Sequence, residues 1–166
     1  MATDRIDQSR WLWLSVGVIV LDQLSKLYVA LHMRLFEIIY VLPVFNIALL
    51  HNTGAAFSML AGAAGWIRWA FIVLALGITA AIVVWLMRMP AGASRWMAAG
   101  LALVAGGALG NAMDRLTHGY VVDFLQFHYQ GWFFPAFNLA DSAITVGAAL
   151  LILDGMFLQD QAKGVK

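Results

Sequence analysis

Four stretches of this chain stay apolar long enough to cross a hydrocarbon core of about 30 Å, which takes roughly 20 residues in helical form. They fall near 11–30, 66–87, 96–113 and 138–158. Trp11, Trp13, Trp66, Trp69, Trp85 and Trp96 stand at or near their ends, where interfacial aromatics belong. Asp22 and Lys26 interrupt the first run and no A-x-A-like site follows it, so it is expected to persist as a span rather than act as a cleaved leader. The run IIYVLPVFNIALL (38–50) is too short to span and contains Pro43 and Asn46. Its β-branched and aromatic residues favour short strands. GAAFSMLAGAAG (54–65) is expected to add a short interfacial helix. The pattern predicts one integral membrane domain over 1–166. It has an all-α core of four transmembrane helices and a small β-rich element over about 31–65 on the membrane surface.

Composition agrees with that pattern. Of 166 residues, 63% are hydrophobic and 11% charged, against about 25% charged in soluble domains. Lipid is the solvent in which such a chain makes sense. A net charge of +1 gives no reason to invoke nucleic acid. The absence of cysteine removes disulfides and thiolate chemistry. Four spans put both termini on one side, with Arg5, Arg10, Arg88, Arg95, Lys163 and Lys166; Lys26, Arg34, Arg68 and Arg115 fall at or toward the other. The positive-inside rule makes the first side cytoplasmic. The two longer connections, about 31–65 and 114–137, then face outward, and the β-rich element is extracytoplasmic.

Ionisable groups within spans cost about 2.5–3.5 kcal/mol each at mid-helix, so each needs a reason. Asp22 and Lys26 are spaced to stack on one helix face as an ion pair. Ser25 beside Lys26 points about 100° away and makes no dyad with it. The third span ends in GGALGNAMDRLTHG: Gly106, Gly107 and Gly110 permit close helix approach, while Asn111 and Asp114 share a face beside Arg115. These three read equally as a polar site or as a helix end entering water. In the apolar, β-prone run YVVDFLQFHY the lone carboxylate Asp123 has no role in solubility. Asn138 and Asp141 match the start of a capped helix, with Asp141 near the positive end of its dipole. Two carboxylates held at one membrane surface, Asp123 and Asp141, tend to share a proton. Such a pair can activate water with one member and polarise a carbonyl with the other. There is no H-E-x-x-H, no G-x-S-x-G and no P-loop, and His32, His51, His118 and His128 have no compact metal spacing. No metal or cofactor is expected. A small proton or cation transporter subunit using these acids is the alternative, and it expects acids spread through membrane depth. No internal repeat of the inverted-repeat transporters is visible.

DQLSK (22–26), NTGAAFS (52–58), GNAMDR (110–115), VVDF (121–124) and FNLADSAI (137–144) occur in this order across almost the whole chain. Together they resemble the motifs of bacterial lipoprotein signal peptidase, the signal peptidase II family. The resemblance implies an inner-membrane aspartic endopeptidase that cuts the signal peptide from prolipoproteins just before a diacylglyceryl-modified cysteine. By the same resemblance Asp123 and Asp141 are the catalytic dyad. Asn52, Gly54, Asn111, Arg115, Asn138 and Ala140 map to positions lining the site, and Asp22, Lys26 and Asp114 to positions supporting it. The implied partners are the prolipoprotein, membrane lipid and inhibitors of the globomycin type, with the enzyme a monomer. The element over 31–65 is expected to cover the bound signal peptide.

Overall fold

The computed structural model describes residues 8–54, 64–90 and 92–158. A 3₁₀ turn, Gln8–Trp11, leads into α1, Leu12–His32. A hairpin follows, β1 (Ile38–Leu42) and β2 (Phe45–Asn52), turning at Pro43 and Val44. Then come α2 (Ala64–Arg88), α3 (Arg95–Thr117), β3 (Val121–Tyr129), β4 (Trp132–Phe133) and α4 (Leu139–Leu153). A π-helical turn, Asp154–Leu158, extends α4. Each of the four helical segments is long and apolar enough to cross a membrane. Most of the expected interfacial helix over 54–65 lies outside the described residues.

α3 is the central helix. In its most apolar window 56% of residues are buried, against 17–22% in the other three. Its sequence explains why. Gly100 faces Gly147 of α4 so closely that a Cβ on either would lie 2.7–2.8 Å from the other's carbonyl oxygen. Gly106 meets Ser15 of α1 in the same way, and the Ser15 hydroxyl donates to the Ala102 carbonyl at 2.7 Å. Small residues let backbones touch where lipid offers no hydrophobic drive for helix association. At the end of the bundle away from the sheet, Ile82, Leu86 and Met89 of the α2 segment close over Ala98, Leu101 and Ala105. Ser94 caps α3 and hydrogen-bonds Asp154 at the end of α4. Outward faces carry exposed Trp13, Leu21, Leu31, Trp66, Val73 and Met87.

The sheet sits at the other end. Its strands lie in the order β1-β2-β3-β4, each antiparallel to its neighbour. It therefore draws on both long connections: the sequence pattern had set the β element within 31–65 and marked YVVDFLQFHY as β-prone without joining the two. β2 and β3 pair across two intervening helices, with Leu50 opposite Asp123 and a bulge between Ile47 and Leu50. Leu49, Val122 and Phe124 pack onto Val29 of α1 and fix the sheet to the bundle. β1, by contrast, exposes every side chain. α3 continues past the span edge expected near 113, through Thr117. Asp114 and Arg115 are thus helical residues, and the charges that suggested an exit into water are satisfied inside the protein.

Candidate active site

Five segments bring their polar residues to the sheet end of the bundle. The innermost layer is a charged knot. Lys26, only 3% exposed, has three ammonium hydrogens and three acceptors: Asp22 Oδ2 at 2.7 Å, Asp114 Oδ2 at 3.0 Å and Asn111 Oδ1 at 3.0 Å. The expected Asp22–Lys26 pair is present, with Asp114 as its third member. Asp22 Oδ1 accepts the Ala140 N–H at 2.9 Å, placing an anion at the N-terminus of α4, where the helix dipole favours it. Asp114 Oδ2 accepts the Val122 N–H at 3.0 Å and so ties the start of β3 to α3. Gln23, which sequence reasoning had passed over despite its place inside DQLSK, donates to Asp114 Oδ1 at 2.8 Å. Gly110 leaves room for this knot: a Cβ there would stand 2.7 Å from Asp22 Oδ2.

Above the knot lie Asp123 and Asp141. Asp123 is buried in β3, 2% exposed, and Asp141 is half-buried in the first turn of α4. Each accepts two N–H donors. Asp123 takes the amide of Asn138 at 2.7 Å and that of Asn52 at 2.9 Å, one on each oxygen. Asp141 takes the amide of Asn111 at 2.7 Å and the Asn138 backbone N–H at 3.3 Å. The last of these, with the Asn138 side chain accepting the Asp141 N–H at 2.9 Å, completes the capping box of α4. The capping role read from the sequence and the placement in the site therefore coexist.

The three asparagines follow one rule. An amide must present its oxygen to a donor, which leaves its NH₂ aimed the other way. Asn111 Oδ1 is held by the Lys26 ammonium, Asn138 Oδ1 by the Asp141 N–H, and Asn52 Oδ1 by the Gly54 N–H at 2.9 Å. None of these partners can accept, so every amide is forced to offer its NH₂ to Asp141 or Asp123. Gly54 performs this in a left-handed turn, φ +82°, which favours glycine.

Electrostatics push against full ionisation. Four carboxylates, Asp22, Asp114, Asp123 and Asp141, face two cations, Lys26 and Arg115. Arg115 lies over the Phe71 ring at 4.7 Å, donates to the Asn111 carbonyl at 3.2 Å and is attracted to Asp141, Asp123 and Asp114. Burial, with the Asp141 charge adding to it, pushes the Asp123 carboxyl up to about 6, although the Asn52 and Asn138 amides pull it down. A carboxyl of this kind keeps its proton up to about pH 6, well above the usual carboxylate range. All eleven positions singled out in the sequence meet within this one site. Ser25 turns away, donating to the Asp22 carbonyl at 2.8 Å.

Four apolar helices enclosing a carboxylate centre at one end define a multi-pass membrane protein with a hydrolase-like polar site. Comparison with known proteins narrows that class. The family model described as signal peptidase (SPase) II matches residues 14–157. The chain is 53% identical over 153 residues to a lipoprotein signal peptidase of Pseudomonas aeruginosa (strain UCBPP-PA14), covering 91% of this chain and 90% of that protein. It is likewise 53% identical over 145 residues to one from Shewanella halifaxensis (strain HAW-EB4), covering 87% and 85%. Two solved bacterial membrane enzyme structures, each 31% identical, superpose with TM-scores of 0.77 and 0.79; the first covers 95% of this chain and 92% of that one, the second 90% and 94%. The chain belongs to the signal peptidase II family. It is a membrane peptidase that removes signal peptides from prolipoproteins, and the transporter reading is not favoured.

Proposed function

We propose that this peptidase is of the aspartic type, with Asp123 and Asp141 as its dyad. It cuts prolipoproteins just before a cysteine already carrying diacylglycerol. The observation that carries this reading is the convergence of a buried, proton-retaining carboxyl and a more open one, each oriented by two fixed N–H donors. Asp123 bears the shared proton and donates it to the scissile carbonyl oxygen. Asp141 takes a proton from water, whose oxygen attacks the carbonyl carbon. When the C–N bond breaks, Asp141 passes its proton to the leaving amine of the cysteine. Asp123 recovers a proton from the gem-diol, and the pair returns to its starting state. Asn52, Asn111 and Asn138 keep the carboxylates in register, Gly54 and Ala140 supply backbone N–H groups that hold the frame, and Asp22, Lys26, Asp114 and Arg115 set the field.

The substrate is confined to the bilayer by its signal helix and acyl chains, each buried CH₂ adding about 0.8 kcal/mol of membrane affinity. Confinement delivers the scissile bond at one depth, so positioned carboxylates meet it with little further loss of freedom. We place the enzyme in the bacterial inner membrane, with both termini cytoplasmic and the site toward the periplasm. Two of the four cations on the outer side, Lys26 and Arg115, are engaged by site carboxylates, which sharpens the charge bias in favour of this orientation. A monomer suffices, since one chain supplies the whole constellation, and a cyclic peptide of the globomycin type is expected to occupy the same site. The deciding experiment is cleavage of a purified diacylglyceryl prolipoprotein in detergent, beside folded Asp123→Asn and Asp141→Asn variants. Loss of cleavage in both supports the dyad; full activity in either removes it.

A further inference from the structure

At the opposite end of the bundle from the dyad, a cavity of about 470 Å³ opens between the 3₁₀ turn and the start of α3. It is lined by Arg10, Trp11, Leu14 and Arg95. Both of its walls are held in place. Gln8 Nε2 donates to the Pro90 carbonyl at 3.3 Å, which fixes the 3₁₀ turn against the connection from α2 to α3. Trp11 packs on the cluster of Leu86, Ala98 and Leu101, and its ring centre lies 5.8 Å from the Arg10 guanidinium. On the other side Ser94 accepts the Trp96 and Met97 N–H groups and so shapes the helical turn on which Arg95 stands.

Two cations face this space. Among the described residues neither reaches a carboxylate: both ion pairs there are made by Lys26, at the sheet end. Asp154, the acid that the described residues place nearby, is 2% exposed and bonded to the Ser94 hydroxyl. Like charges converging on one cavity repel each other unless an anion lies between them. A guanidinium is a planar fork of N–H donors that fits phosphate oxygens two at a time. The rest of the lining is the Trp11 ring and the Leu14 hydrocarbon. The cavity is several times larger than a bare phosphate, about 120 Å³ if each of its four oxygens takes the room of a water. It also stands where the first membrane-crossing segment begins, at the depth of headgroups. A phosphodiester carrying glycerol and hydrocarbon matches charge, apolar lining and depth, whereas a free phosphate matches the charge alone. A choline or ethanolamine headgroup would bring a third cation to two guanidiniums. Basic pockets between membrane helices hold anionic headgroups in this way. We propose that Arg10 and Arg95 bind the phosphate of an anionic glycerophospholipid, with Trp11 and Leu14 against its glycerol and first methylenes. The bound lipid joins the start of α1 to the start of α3.

This site is independent of the dyad, and its test needs no substrate. The protein, purified in detergent, is offered equal amounts of dioleoyl phosphatidylglycerol and dioleoyl phosphatidylcholine, and retained lipid is counted by native mass spectrometry. The acyl chains are identical, so the headgroup decides. Wild type should retain one phosphatidylglycerol at about tenfold preference, and Arg10→Gln or Arg95→Gln should each bring that preference below about threefold. Both side chains are exposed, so the variants should fold as the wild type does. Arg88→Gln removes an exposed arginine from the same end without touching the cavity lining, and it should keep the preference. An equal loss in Arg88→Gln would overturn the site in favour of diffuse surface attraction, as would a wild type without preference. Thermal unfolding separates lipid from soluble phosphate. Phosphatidylglycerol in the micelle should raise the wild-type midpoint by about 3 °C or more, with no such rise when Arg10→Gln and Arg95→Gln are combined. Inorganic phosphate that matched this rise would overturn the lipid assignment.

Discussion

At the end of the bundle away from the sheet, α2, α3 and α4 meet through Leu86, Leu101, Ala105 and the Gly100–Gly147 contact. At the sheet end α1, α3 and the start of α4 meet through Asp22, Lys26, Asn111, Asp114 and Asn138, every one of them buried. The first end is joined mainly by shape and the second by direction. Shape tolerates neutral changes of similar volume. A directed network does not, because removing one partner leaves another buried and unpaired. The contrast teaches where the chain gathers most of its buried charges: around one site at the sheet end, with the lone acid Asp154 bonded to Ser94 at the other.

The sharpest way to break this comparison is to neutralise the dyad. Asp123→Asn and Asp141→Asn keep shape and remove charge, so cleavage should fall by at least about 10³-fold, within the range for loss of a positioned acid or base. Thermal unfolding in detergent should show both variants still folded, because relief of the repulsive buried pair offsets the one N–H donor that the new NH₂ leaves unpaired. A parallel loss of folding would mean that these carboxylates act as structure rather than chemistry.

Lys26→Met comes next. It leaves Asp22 and Asp114 facing each other without their cation, a change that costs about 3–5 kcal/mol for a broken buried pair. It also leaves the Asn111 oxygen held by the Asn138 amide at 3.2 Å without the ammonium, so activity per folded molecule should drop on the order of tenfold to a hundredfold. Adding Asp114→Asn to Lys26→Met should restore much of the stability while leaving the rate low, because Asn111 still lacks its pin. Recovery of both together would show that Lys26 serves folding alone. At the opposite end, Gly100→Ala should behave in the reverse manner. Its new methyl meets the Gly147 carbonyl at 2.8 Å, which costs about 1–3 kcal/mol of overpacking, with turnover of the folded fraction unchanged.

The same contrast explains what was legible in the sequence. Apolar runs revealed the helices because length and hydropathy act locally. Gly106 and Gly110 disclosed tight approach, and Asn138 with Asp141 disclosed a capped helix start, again from neighbours in sequence. The pairing of β2 with β3 was hidden: it joins strands separated by two helices, with a bulge setting the register of Leu50 against Asp123. Whether Asn111, Asp114 and Arg115 form a polar site or a solvated helix end stayed open in the sequence, because most of their partners lie far away along the chain. Nor does any local pattern show which way the Asn52, Asn111 and Asn138 amides face. That depends on Gly54, Lys26 and Asp141, three donors brought together only by folding. The five motifs marked the positions, while the obligation to donate emerged from the assembled site.

The smallest effect is also the most discriminating. If Asp123 carries the catalytic proton, kcat/KM declines as pH rises above about 6, approaching tenfold per unit, because the deprotonated pair has no acid to polarise the carbonyl. Burial comes first among the causes that raise this carboxyl and the Asp141 charge adds to it, while the Asn52 and Asn138 amides lower it by favouring the anion. Two variants should therefore move it in opposite directions. Asn52→Ala removes an N–H donor from the anion, so the alkaline limb of the rate profile should shift to higher pH even as the rate itself falls. Asp141→Asn removes a like charge, so the Asp123 carboxyl, followed by infrared difference spectroscopy in the inactive variant, should titrate lower than in the wild type. A limb that moves down in Asn52→Ala, or an Asp123 band indifferent to Asp141, would assign the proton to the other carboxylate. The roles of acid and base in the dyad would then be exchanged.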